Sequence, residues 1–439
     1  MARNIFVVGL DDFNLAQLRT VRGADRYCFR GLIPHTDIVN PDHYAIHDLL
    51  TSARRELNRY AGQVDAIIGH WDFPTTCLLP LLRAPLGLRG PGLEAVLKCD
   101  HKYWSRLMAE EAIPGANPAF RAVNPFDDAS IAALDLSYPF WLKPVVAFSS
   151  HLAFRVRNAA ELRWAIKAIR AGIGKFAEPY DDILRLGGLG HLPAELGGYM
   201  CVAEAAIGGR QCTVEGYVQD GRVQPYAIID SIRARNRTSF LRYEYPSSLP
   251  TGVRARLRDL TVRLVEHIGL DDTTFNVEFF WERSWDSLHL LEINARMSKS
   301  HCPLFTLTCG SSHHEVAIDV ALGRPVDYPH AHSGYSHAAK FMPRVFHDAR
   351  VARVPSAAQI KEVGRRFPGT EVHVHVRPGM RLSDLPNQDS YSYEIADVFL
   401  GADSRRDLLA RYREVMKIFD FRFAGLNEAP VEAVASARG

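Results

Sequence analysis

Residues 273–296 read TTFNVEFFWERSWDSLHLLEINAR. Two runs rich in β-branched and aromatic residues, TTFNVEFFW and LHLLEINAR, flank the polar SWDS segment, which is the pattern of two strands joined by a turn. An acid stands inside each run, Glu278 between Val277 and Phe279 and Glu292 between Leu291 and Ile293. A carboxylate among apolar neighbours is costly unless it meets a cation or hydrogen-bond donors. Side chains alternate along a strand, so Glu292, Asn294 and Arg296 share a face, and a hairpin sets Glu278 against Glu292 on adjacent strands. Two carboxylates and an amide oxygen suit magnesium, which takes hard oxygen ligands and shares them with water and phosphate. Either acid alone has an ordinary ion pair as its bland explanation. The run E-x-N-x-R opposite N-x-E points instead to metal and phosphate.

The rest of the chain sets limits on that reading. With 439 residues, 47% hydrophobic and 23% charged, there is ample apolar material for two to four domains or subdomains. Lys and Arg number 52 against 50 Asp and Glu, which leaves no global field for nucleic acid or an anionic membrane, so any anion site is local. The 7 cysteines include no CxxC pair, and a reducing cytoplasm is expected. The first residues, MARNIFVVGLDD, read as neither a signal peptide nor a membrane span. There is no GxGxxG after a strand, and Gly174-Lys175 lacks the surroundings of a Walker motif.

Residues 4–9 and 64–69 are short apolar runs separated by a helix-like stretch at 43–60, as in parallel strands alternating with helices. Glycines and prolines at 85–92 mark a boundary near residue 95. A charged helix follows at 93–111, then a strand at 140–144, a helix at 159–171 and a Gly-rich segment at 185–198 that reads as a flexible loop. Three β-rich runs, 199–207, 211–218 and 223–230, come next, the last two joined at Asp220-Gly221 as a hairpin. A charged helix at 251–268 leads back to the two acid-bearing strands. Beyond 330 the strands HAAKFMPRVF, TEVHVHVRPG and YSYEIADVFLG and an amphipathic helix at 404–418, with Ser404 as N-cap, form a terminal lobe.

In this order and spacing the chain resembles the ATP-grasp superfamily of carboxylate-amine ligases, from about residue 4 to 423, with a biotin-carboxylase-like terminal lobe carried by RPGMRL and YSYEIADVFLG. The resemblance implies an α/β and α+β architecture: an N-terminal α/β domain at 1–95, an ATP-grasp module at 96–330 with a small mobile subdomain near 115–200, a C-terminal α+β lobe at 331–425, and a tail at 426–439. It implies that Glu278, Glu292 and Asn294 hold magnesium, with manganese as a substitute, and that Lys102 and Lys143 face the ATP phosphates. In CVAEAAIGGRQCTVEGYV, Glu204 would accept from the adenine amino group, the backbones of Ala205 and Ile207 would read the ring edge, and Gln211 would stand at the ribose. Where such enzymes carry a glycine-rich loop, this chain has VVAFSSHLA, so Ser149, Ser150 and His151 become the candidate phosphate donors. Arg296 is assigned to the γ-phosphate or the substrate carboxylate. Arg233 is assigned to the acid and Glu244 to an amine.

The activity implied is ATP-dependent amide formation through an acyl phosphate, releasing ADP and phosphate, by Arg296 and Lys143 and without a side-chain nucleophile. Small-molecule acid and amine substrates and a homodimer are expected. The runner-up is a biotin-carboxylase-like activation of bicarbonate; a third reading is an ATP-binding regulatory protein without turnover. Other clusters weigh less. Cys302, Cys309, His313 and His314 fit no standard zinc spacing, His373 and His375 alternate on one strand face as an exposed or packed pair rather than as ligands, and Trp71-Asp72 stands either at a ligand edge or as a core Trp beside a helix cap.

Overall fold

The computed structural model describes residues 2–39, 41–148, 151–234, 238–330, 334–386, 388 and 391–424. Its internal contacts divide the chain into two compact units, one of residues 1–227, 250–299 and 314–328 and the other of 228–249, 300–313 and 329–439.

The first unit begins with a 3-stranded parallel sheet in the order Tyr27–Leu32, Arg3–Val8, Ala66–Ile68. Ile5, Val7, Ala66 and Ile68 pack with Leu18, Val21 and, from far along the chain, Ile318 and Ala321. That shared core joins the sheet to the His314–Ala321 helix. The stretch read as one helix at 93–111 is two, Leu93–Asp100 and Lys102–Ala112. His101 divides them by leaving helical dihedrals and capping the second helix, its Nδ1 accepting from the Trp104 N–H at 3.0 Å.

A 4-stranded antiparallel sheet follows, in the order Phe120–Val123, Cys201–Ala205, Phe140–Pro144, Phe154–Val156. The Ala159–Gly172 helix covers it with Leu162, Ala165, Ile166 and Ile169. The Gly-rich segment holds a short 3-10 helix, Ala194–Leu196, and ends at Gly198, where a Cβ would lie 2.6 Å from the Ala177 carbonyl oxygen. Glycine serves close approach there, and the Gly198 N–H donates to Asp181 at 2.8 Å.

The acid-bearing strands are Thr273–Glu282 and Ser287–Asn294, antiparallel as the SWDS turn requires, and Arg210–Gln219 pairs on the other side of the first. Asp220 and Gly221 both take positive φ, 51° and 72°, the requirement of a two-residue hairpin turn into the Arg222–Arg233 strand.

The second unit carries the end of that strand, Phe240–Tyr245, His337–Phe341, Ala396–Ala402 and Glu371–Val374, in sequential antiparallel pairing. Phe341, Val398, Leu400, Leu408, Tyr412 and Val415 form its core with the Arg405–Ile418 helix, which Ser404 caps by accepting from the Asp407 N–H at 3.1 Å. Among the described residues, no helix is long and apolar enough to cross a membrane.

Candidate active site

The strand register builds the site. Glu278 lies directly opposite Glu292, and Asn276 opposite Asn294. On the other flank Glu215 opposes Asn276 and Thr213 opposes Glu278. Gln211, Thr213, Glu215, Asn276, Glu278, Glu292 and Asn294 therefore share one sheet face, while Cys212, Val214, Val277, Phe279 and Ile293 alternate onto the other and are buried. Polar bonds order the first face: Asn294 Nδ2 donates to Asn276 Oδ1 at 3.0 Å, Asn276 Nδ2 to the Arg296 carbonyl at 2.9 Å, and Gln211 Nε2 to Glu278 at 2.6 Å. Gln211, expected at the ribose, thus lies against a candidate metal ligand.

Two carboxylates directly opposite each other repel. A divalent cation between them, completed by the Asn294 amide oxygen, removes that cost, so the donor set fits magnesium. Lys102 adds charge nearby: its Nζ donates to the Ala147 carbonyl at 2.6 Å, burial holds its pKa below the usual lysine range, and Glu292 pulls the other way.

Lys143, from the Phe140–Pro144 strand, reaches Glu204 on the neighbouring Cys201–Ala205 strand at 2.6 Å. The second oxygen of Glu204 accepts from Arg106 Nε at 2.8 Å. Burial pushes that carboxyl upward, but the two cations outweigh it and hold it down to about 2. The Glu204 side chain, expected to meet an adenine amino group, has two cationic partners. The Ala205 N–H goes to the Ala119 carbonyl at 2.8 Å, and Ile207 lies just past the strand.

Arg106 also joins the two halves of the site. Its Nη2 donates at 2.6 Å to the carbonyl of Leu291, the residue left over where the pairing shifts between Glu278 and Phe279. No local motif marks Arg106; its only signal is a position four residues after Lys102, on the same helical face.

Arg296 leaves the strand end and gives both Nε, at 2.6 Å, and Nη2 to Oδ1 of Asp72. Burial lowers the guanidinium pKa, but Asp72 outweighs it and the net shift is upward. Asp72 is an ion-pair partner here, and Trp71 beside it donates Nε1–H to the Gly9 carbonyl at 2.8 Å. The buried Glu215 accepts from the Ser298 N–H at 3.2 Å and also acts on Arg296; the alternation of Gln211, Thr213 and Glu215 was its available signal.

The remaining candidates are placed as follows. Ser149 and Ser150 lie outside the described residues. The His151 ring packs edge-on against Phe176 at 5.1 Å. Arg233 and Glu244 belong to the second unit. Arg233 lies 4.3 Å over the Phe240 ring, and the buried Glu244 is paired with Arg242 and, at 2.6 Å, with Arg405. Among the described residues, the one group of three or more His, Cys, Asp or Glu side chains whose ligand atoms all lie within 4.8 Å of one another is His375, Glu394 and Asp397, with the Lys340 ammonium 2.8 Å from Asp397. Cys302, Cys309, His313 and His314 form no such group.

Residues 136–303 match the family model described as the ATP-grasp domain. That stretch of the chain is similar to the ATP-grasp domain. That segment contains Lys143, Glu204, Glu278, Glu292, Asn294 and Arg296, and Lys102 and Asp72 come to it from outside. Solved structures extend the likeness of fold over nearly the whole chain. An L-amino acid ligase from Bacillus licheniformis is 16% identical with a TM-score of 0.70, covering 96% of this chain and 98% of its own. A carboxyaminoimidazole ribonucleotide synthase from Aspergillus clavatus, complexed with ATP, is 13% identical with a TM-score of 0.64 over 95% and 98%. The biotin carboxylase domain of a 2-oxoglutarate carboxylase from Hydrogenobacter thermophilus, with MgADP and bicarbonate, is 16% identical with a TM-score of 0.63 over 96% and 91%. No curated protein matches the sequence.

Proposed function

We propose that this chain is an ATP-dependent, ADP-forming carbon–nitrogen ligase that activates a small carboxylate as an acyl phosphate and joins it to an amine. The observation that carries the reading is the Glu278–Glu292 pair, directly opposed on one polar sheet face, with Lys102 close enough to act on Glu292. Glu278, Glu292 and Asn294 would hold magnesium, with manganese as a substitute. Bound there, the ion supplies charge that offsets the phosphate oxygens.

The chain's own groups do the positioning. Lys102 and Lys143 bring ammonium groups to the β- and γ-phosphates; for Lys143 this exchanges the Glu204 contact for a phosphate, with Arg106 remaining on Glu204. Arg296, held by Asp72, presents its guanidinium edge to the transferring phosphoryl or the acid. The substrate carboxylate attacks the γ-phosphorus and ADP leaves; the amine then attacks the acyl carbon and phosphate leaves. No protein nucleophile is required. A homodimer belongs to the same reading.

The test is phosphate release by purified protein with ATP and magnesium over a matrix of amino acids, small carboxylates and amines, with product masses read on the hits. ADP, phosphate and an amide in equal amounts support the proposal. Stoichiometric AMP and pyrophosphate would overturn it, turnover with bicarbonate and biotin alone would replace it by the bicarbonate reading, and tight ATP binding without turnover on any pair would leave a regulatory protein.

A further inference from the structure

His70 stands two residues beyond the Ala66–Ile68 strand, at the carboxyl edge of the parallel sheet, where ligands dock on open α/β sheets. Its side chain is 1% exposed, and neither ring nitrogen has a hydrogen-bond partner among the described residues. A buried polar group without a partner is destabilising and calls for an explanation. Its neighbours supply one. The His314 ring lies 5.3 Å away and the Trp71 ring 5.5 Å away. The ammonium of Lys299 sits 3.5 Å over the centre of that indole. Burial disfavours a proton on His70, and His314, Lys299, Arg296 and His35 act in the same direction, so the ring is neutral and carries one N–H donor. Around a neutral donor the chain thus places two permanent cations, Lys299 and Arg296, the latter in an ion pair with Asp72.

We propose that His70 and Lys299, beside Arg296, form the subsite that orients the carboxylate of the acid substrate, with the His70 N–H as a specificity-determining donor. This rests on the ligase reading and deepens it by naming the groups that select the acid. A carboxylate entering at the sheet edge forms an ion pair with the Lys299 ammonium and accepts from His70. The ring N–H is in this view kept for the ligand, at the expense of stability.

The stability consequence separates this role from a structural one. His70→Leu removes a buried polar group whose partner is absent, so its melting temperature stays level or rises, whereas a structural histidine replaced this way melts lower. In the same variant the KM for the acid should rise about tenfold, the loss of one hydrogen bond to a charged group, while ATP affinity by calorimetry stays within about twofold. His70→Asn, which keeps a donor, should recover part of the acid KM, and Lys299→Gln should raise it with the His70 ring in place. An unchanged acid KM in folded His70→Leu and Lys299→Gln proteins, or acid and ATP affinities that weaken together, would overturn the subsite. Failure of the ligase reading is told apart by binding: if the wild type turns over no pair, calorimetry with glycine, alanine, glutamate and succinate decides. Heat on wild type that is lost in His70→Leu keeps the subsite without the ligase, and no heat on either removes it.

Discussion

Glu292 is the residue at which metal site and salt bridge predict opposite observables. Facing Glu278 across one strand pair, it repels its neighbour when no cation is present. Glu292→Gln keeps the volume and removes one charge, so the protein should melt at the same temperature or slightly higher. Turnover should nevertheless fall at least about 100-fold, the range that follows loss of one strong transition-state stabiliser, about 2.7–4 kcal/mol. A variant that melts several degrees lower and turns over normally at saturating magnesium and ATP would remove the metal site from this account. Lys143 gives the second residue-scale test. Its ammonium is held 2.6 Å from Glu204, and Arg106 remains on that carboxylate when the lysine is removed. Lys143→Ala should therefore keep the fold while weakening ATP binding by about 1.5–3 kcal/mol, the worth of a charge-assisted hydrogen bond. Unchanged calorimetric affinity in a folded variant would leave Lys143 as a partner of Glu204 alone.

At the scale of elements, the Lys102–Ala112 helix ties the Cys201–Ala205 strand to the acid-bearing hairpin through one side chain. Arg106 is 2% exposed, and its two contacts, Glu204 and the Leu291 carbonyl, sit on different sheets. Arg106→Met should lower unfolding free energy by about 3 kcal/mol, because it leaves the Leu291 carbonyl without its donor and Glu204 with Lys143 as its one remaining cation. Lys143→Ala should cost less, since the guanidinium stays. Urea unfolding of the two variants checks the order, and equal losses would mean that Arg106 does not carry the link. This is also the scale at which the sequence was most and least legible. Alternation in TTFNVEFFW and LHLLEINAR was enough to set Glu278 against Glu292, because strand period and hairpin registration are local. Ser404, with its cap bond to Asp407, was likewise local. The break at His101 was hidden, because a histidine cap inside a continuous charged stretch leaves the helical period intact. Arg106 with Leu291 and Arg296 with Asp72 were hidden for a different reason: the partners are 185 and 224 residues apart, and only the assembled sheets bring them together.

At the scale of the molecule, the buried histidines set how the protein responds to acid. His101 and His314 are both fully enclosed, and burial lowers each pKa to about 3. Between about 3 and the unfolded value of 6.5 the folded state therefore binds fewer protons than the unfolded one. Stability is complete above about pH 6.5 and is lost as the pH falls. Glu204, held down to about 2, adds to the loss below about 4.5. Asp100 opposes it: burial raises its carboxyl to about 6 against the hydrogen bonds from Thr76 and Cys77, so on its own it favours the folded state as pH drops from 6 toward 3.8. Glu394, raised by burial, opposes it likewise, while His70, lowered by burial, joins the other two histidines; three histidines and Glu204 against two carboxylates leave net destabilisation by acid. His101→Asn isolates one proton of that balance, because asparagine caps a helix as well as any residue and does not titrate. The variant should fold normally at pH 7.5, where its Trp104 cap bond is replaced in kind. Between pH 4.5 and 6 its unfolding free energy should fall less steeply than the wild type's, by up to about 1.4 kcal/mol per pH unit, the slope carried by one proton. Urea titrations at half-unit intervals read this directly. Parallel pH profiles for the two proteins would mean that His101 takes up its proton equally in the folded and unfolded states, and the acid response would then have to come from His70, His314 and the carboxylates.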